Sequence, residues 1–170
     1  MKKFILILMV LPLFTYAQST YEYNPAYFAI SSEVDVANVL QTGEGNGYDG
    51  TIKVSYRNEG FQMGLFVESF PNRDFLSYGA EIDKVINKTG RINYLVGVAI
   101  SLINRTTERH TVYNAPSIAG NAQIGYNIGS KFYIFTRYEY RRRGDLKFLY
   151  DASGSDLWVS SGFIGISFKI

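Results

Sequence analysis

The most constraining stretch of this chain is its last fourteen residues, Leu157 to Ile170, L-W-V-S-S-G-F-I-G-I-S-F-K-I. Alternate positions fall into two classes. Trp158, Ser160, Gly162, Ile164, Ile166, Phe168 and Ile170 are mostly apolar, whereas Val159, Ser161, Phe163, Gly165, Ser167 and Lys169 are mostly smaller or polar. Period-two alternation without proline predicts a β-strand. It is longer than the usual globular strand, and a tilted strand of about 9–11 residues crosses a bilayer.

The same alternation runs back through the chain. Apolar rows are predicted at Phe28–Leu40, Thr51–Arg57, Phe61–Ser69, Leu76–Ile86, Ile92–Leu102, Ile118–Ile128 and Phe132–Arg141. The clearest row is Ile92, Tyr94, Val96, Val98, Ile100 and Leu102, opposed by Asn93, Gly97, Ala99 and Ser101. Short turns are expected at Asn58-Glu-Gly60, Asn87-Lys-Thr-Gly90 and Gly129-Ser130. Longer loops are expected at Thr42–Gly50, around Pro71–Asp74, at Asn104–Pro116 and at about Arg142–Ser155. No segment after residue 17 reads as a helix. The expected fold is therefore all-β: an eight-stranded antiparallel up-and-down transmembrane β-barrel, with turns at one rim and loops at the other.

Alternation alone does not say which face is inside. A soluble lipocalin-like barrel also alternates, with its apolar face inward. Here the apolar-face aromatics sort by height. Phe28, Tyr56, Phe61, Tyr94, Tyr126, Phe132 and Phe168 fall at the turn rim, and Tyr78, Tyr138, Tyr140 and Trp158 near the other. Two aromatic girdles around an aliphatic band match two bilayer interfaces. The opposite face carries small residues, amides and charges of both signs: Glu33, Asp35, Lys53, Arg57, Glu68, Glu81, Asp83, Arg137, Glu139 and Arg141. In a narrow barrel these are expected to pair as a lumen charge network.

Residues 1–17 have the layout of a secretory signal: Lys2 and Lys3, an apolar run from Phe4 to Phe14, then Thr15-Tyr16-Ala17. Cleavage is expected between Ala17 and Gln18, leaving 18–170 as one barrel domain. Without Lys2 and Lys3, the 17 Lys+Arg become 15 and balance the 15 Asp+Glu. The precursor pI of 8.7 is thus no argument for nucleic acid. There is no Cys, hence no disulfide framework or thiolate metal site.

Gly165, Phe168 and Ile170 in the terminal G-I-S-F-K-I resemble the assembly signal at the end of bacterial outer-membrane barrels, although that signal usually ends on an aromatic. With the signal segment and the strand pattern, the chain resembles the small eight-stranded outer-membrane proteins of the OmpA/OmpX type, including those of Bacteroidetes-like bacteria. The resemblance implies the cell outer membrane, contact with its lipid and lipopolysaccharide, the barrel-assembly machinery as a partner, and a lumen filled by side chains.

No chemistry stands out. The lone His110 has Glu108 and Thr111 near it, but no Ser in a pairing position, so a lipid-modifying enzyme is not expected. Asp151-Ala-Ser-Gly-Ser-Asp156 lacks the ligand pattern of an EF-hand loop. Arg141–Arg143, Arg105, Arg109 and Lys147 at the loop rim are the residue types that bind lipid or polysaccharide phosphates. The expected protein has no catalytic, metal or cofactor site and acts structurally or through its loops. The alternatives are a narrow pore, or an accessory subunit of an envelope transport machine.

Overall fold

The computed structural model describes residues 26–36, 49–86, 91–108 and 110–170. Eight antiparallel strands form one closed barrel in chain order. They are β1 (Tyr27–Asp35), β2 (Gly50–Arg57), β3 (Phe61–Phe70), β4 (Phe75–Val85), β5 (Ile92–Thr106), β6 (Thr111–Ile128), β7 (Phe132–Arg143) and β8 (Trp158–Lys169). Closure comes from β1, which pairs with β2 on one side (Ile30↔Val54) and β8 on the other (Ile30↔Phe168). Every edge is thereby satisfied, as a bilayer requires.

The facing follows the alternation. On β5, Val96, Val98 and Ile100 lie outward and exposed, and Leu95 and Ala99 lie inward and buried. Ten residue steps separate Ile92 from Leu102. At about 3.3 Å per residue and a tilt near 40°, this outward row spans roughly 25 Å, the height of a lipid-facing band. The turn-rim girdle is contiguous in places: Phe28 and Tyr56 have ring centroids 5.1 Å apart, and Phe132 and Phe168 5.3 Å. At the loop end Tyr140 stacks on Trp158 at 4.9 Å.

Three loop expectations need correction. The polar stretch Asn104–Pro116 is mostly strand: β5 continues to Thr106, β6 resumes at Thr111, and between them the Thr107 N–H donates to His110 C=O at 2.8 Å. A bulge between Ile103 and Arg105 resets the register. Asn114, with φ 54°, donates its N–H to Asn104 Oδ1 at 2.7 Å. Pro116 is tolerated because β7 pairs with β6 only as far as Ser117↔Arg143, leaving Pro116 on a free edge. The connection after β3 is also short, a 3-10 turn Pro71–Arg73 closed by Asp74, so loop lengths do not alternate strictly. Finally, Arg142 and Arg143 belong to β7, and the last loop holds a helix α1 (Asp145–Tyr150) and a 3-10 turn (Gly154–Leu157). Leu157 therefore precedes β8 rather than opening it. The signal segment 1–17 with Ala17 and Gln18, the extension of β1 through Leu40, most of the first Gly-rich loop, the turn 87–90 and Arg109 lie outside the described residues.

Candidate functional site

The inward rows build the interior in three levels. In the middle is a ladder of alternating charge. Lys53 Nζ lies 2.7 Å from Glu81 Oε1 and 3.6 Å from Glu33 Oε1. Arg137 donates to Glu33 through Nε at 2.9 Å and to Glu139 through Nη1 at 2.6 Å. Arg141 donates to Glu139 and to Glu68. The order Glu81, Lys53, Glu33, Arg137, Glu139, Arg141, Glu68 alternates four carboxylates with three cations. It crosses the lumen, because Glu68 on β3 faces Arg141 on β7, four strands away. All seven residues are buried. Charges so far from water are tolerable only when paired and hydrogen-bonded.

Towards the turn rim the filling becomes aromatic. Tyr133 and Phe135 stack with centroids 5.6 Å apart, and Gln123 Nε2 donates to Tyr133 Oη at 3.2 Å. Phe135 fits because its two register partners are glycines, Gly125 and Gly165. A Cβ at Gly165 would collide with the Phe135 ring, and one at Gly125 with Tyr133. Arg57 Nη2 donates to Asn93 Oδ1 at 2.8 Å, and Lys169 donates to Asn127 Oδ1.

At the loop rim Asp145, fully buried, draws in two guanidinium groups. Arg143 Nε is 3.0 Å from Asp145 Oδ1 and its Nη2 also donates to the carboxylate. Arg105 Nη1 lies 3.4 Å from Oδ2. Arg143 packs over the Phe75 ring at 4.6 Å and Arg105 over Tyr150 at 5.5 Å, cation–π contacts that fix both side chains. Beside them, an opening of about 390 Å³ is lined by Arg73, Asp35, Asp49 and Tyr150 among others. Burial, with Glu68 and Asp35 nearby, pushes the carboxyl of Asp49, in the loop ahead of β2, up to about 7.

All ten residues assigned to the lumen are buried. Seven of them form the ladder. Arg57 is apart from it, with Asn93, and Asp83 lies 3.5 Å from Gln62 Nε2. Asp35 is at the loop end, its N–H donating to Asp49 C=O at 3.0 Å. Sequence reasoning missed the Asp145 cluster because its carboxylate sits on a helix that has no repeat long enough to reveal it. Arg143, two residues beyond Arg141 on the same strand, was the available signal. Of the three terminal residues likened to an assembly signal, Gly165 packs inside, and Phe168 and Ile170 lie outward at the turn rim. His110 is exposed, and its N–H donates to Thr107 Oγ1 within the turn. Among the described residues no carboxylate pairs with its imidazole, and no group of three or more His, Cys, Asp or Glu is placed to hold a metal ion.

No protein-family model matches the chain, and no curated protein is similar to it in sequence. Solved structures are similar in fold. The N-terminal β-barrel domain of Pseudomonas aeruginosa OprF is 10% identical with TM-score 0.61, over 88% of this chain and 100% of that one. Neisserial surface protein A is 13% identical with TM-score 0.56, over 86% and 98%. The Yersinia pestis outer membrane protein Ail, in a phospholipid bilayer nanodisc, is 14% identical with TM-score 0.55, over 85% and 99%. The likeness is to small eight-stranded outer-membrane barrels at large. These organisms lend no support to the narrower resemblance to Bacteroidetes-like proteins.

Proposed function

We propose that this chain is a non-enzymatic barrel of the cell outer membrane, with a structural role or one exercised through its loops, and that side chains close its lumen. The observation that carries this is the ion-paired ladder across the lumen beneath an apolar outer wall. A soluble barrel would gain nothing from this inversion, whereas lipid demands it. In this reading residues 1–17 direct export and are removed between Ala17 and Gln18. Gly165, Phe168 and Ile170 present the terminal strand to the barrel-assembly machinery, and lipopolysaccharide surrounds the loop half. Planar-bilayer recording is the test. The closed lumen predicts no steady conductance, and stable stepwise openings would refute it. A narrow pore is the second reading. It is favoured by buried interior atoms without a hydrogen-bond partner, among them Glu81 Oε2, Thr51 Oγ1 and Ser77 Oγ, which suit a file of water.

A further inference from the structure

The outward rows of the described strands carry only two charged residues, Lys84 on β4 and Arg142 on β7. Lys84 is near the turn rim, paired with Phe61 and Val96. Arg142 is at the loop end, between Ile118 and Trp158. Both are exposed, and no carboxylate among the described residues pairs with either. A cation on a lipid-facing wall needs an anion at the interface.

From Arg142 a single register row runs sideways around the barrel: Arg142↔Ile118, Ile118↔Ile100, Ile100↔Ala80, Ala80↔Leu65. Where the row reaches Ala80 the outer wall is indented. The groove has a volume of about 700 Å³, and its outward lining includes Leu65, Val67, Ala80, Ile100, Leu102 and Pro116. It exists because Ala80 stands between the longer Leu65 and Ile100. The groove is apolar and lies in the lipid-facing wall, and the row that crosses it ends at an unneutralised guanidinium beside an interfacial Trp.

We infer that Arg142 and the Ala80 groove together bind one outer-leaflet lipid that carries a phosphate headgroup and several acyl chains. Arg142 donates to the phosphate in the charge-assisted, forked geometry that guanidinium groups favour. One chain lies along the groove and is held by dispersion and shape. Lys84 meets the headgroups of the opposite leaflet and takes no part. The inference rests on the outer-membrane placement proposed above.

The test is native mass spectrometry of the full chain, refolded in detergent with bisphosphorylated lipid A as probe and its dephosphorylated form as control. Heat-modifiability on gels, read first, reports whether each variant is a folded barrel, and insertion into phospholipid vesicles tests the membrane placement separately. The folded protein is expected to retain the phosphorylated lipid. Arg142→Gln should lower retention about tenfold, Ala80→Leu, which fills the groove, should lower it as well, and Lys84→Gln should leave it unchanged. A barrel that inserts into vesicles but holds both lipid forms equally, or holds lipid as well with Gln at 142, would overturn the site and leave the membrane reading intact. Failure to insert would overturn both. A dimer abolished by Ala80→Leu would assign the groove to a second copy of the chain instead.

Discussion

Arg137 is the residue whose loss the interior can least absorb. Its guanidinium serves Glu33 and Glu139 at once and lies 4.5 Å from the centroid of the Phe163 ring. Arg137→Met keeps much of the packing on that ring and deletes the charge. Glu33 then has only Lys53, at 3.6 Å and shared with Glu81. Glu139 has only Arg141, shared with Glu68. The ladder would hold four carboxylates and two cations, all buried from bulk solvent. Removing one partner of a buried pair costs roughly 3–5 kcal/mol, and that is the expected loss. Adding Glu33→Met removes the stranded carboxylate, so the double variant should recover about half of it. Non-additivity of at least about 2 kcal/mol, larger by whatever Glu33→Met costs alone, is then the signature of direct coupling. The assay is urea unfolding from lipid vesicles, followed by emission from the single tryptophan, Trp158, which leaves the interfacial girdle on unfolding. A single-variant loss below about 1 kcal/mol, in the range of exposed ion pairs, would refute the reasoning and mean that the lumen is hydrated.

Val98→Arg, in the outward row of β5 between Ile82 and Gly120, should cost roughly 2–4 kcal/mol at mid-membrane, read by the same titration. Gly165→Ala should cost about 1–3 kcal/mol by overpacking, because its Cβ would meet the Phe135 ring and lie 2.9 Å from Glu33 Cβ. Adding Phe135→Leu should relieve that loss, whereas a defect in assembly alone would not respond. Burial, together with Glu68 and Asp35, pushes the Asp49 carboxyl from its ordinary range of about 4 up to about 7. Its contribution to stability is therefore complete below about 4 and is lost as pH rises through 7. Asp49→Asn should flatten the dependence of the urea midpoint on pH across that interval, and an unchanged slope would contradict the assignment.

The strands were legible because a two-residue repeat survives wherever one face meets lipid and the other a packed lumen. Charges such as Glu33 and Arg137 could be placed inside from their parity with the apolar row alone. Their partners could not. Whether Glu33 meets Lys53, Arg137 or both depends on register and shear, which place β1, β2 and β7 side chains at one height and leave no local trace in the sequence. The hairpin at 104–116 was misread for a related reason. Asn104, Asn114 and Pro116 are turn-forming residues, yet here they build a bulge and a free edge, and pairing continues past them. Helix α1, six residues long, is too short to show a helical repeat, and its place is set by Asp145 between Arg105 and Arg143.

The central claim is that this barrel is inside out, and the absence of cysteine allows a direct test. Single cysteines at each position from Leu95 to Leu102 on β5 can be probed, in protein reconstituted in vesicles, with a membrane-permeant apolar maleimide and with a charged, water-soluble one. The structure predicts reaction with the apolar reagent alone at positions 96, 98, 100 and 102, and protection from both at 95 and 99, whose side chains are buried inside. Ready labelling of the even positions by the charged reagent would put that face in water and contradict the account.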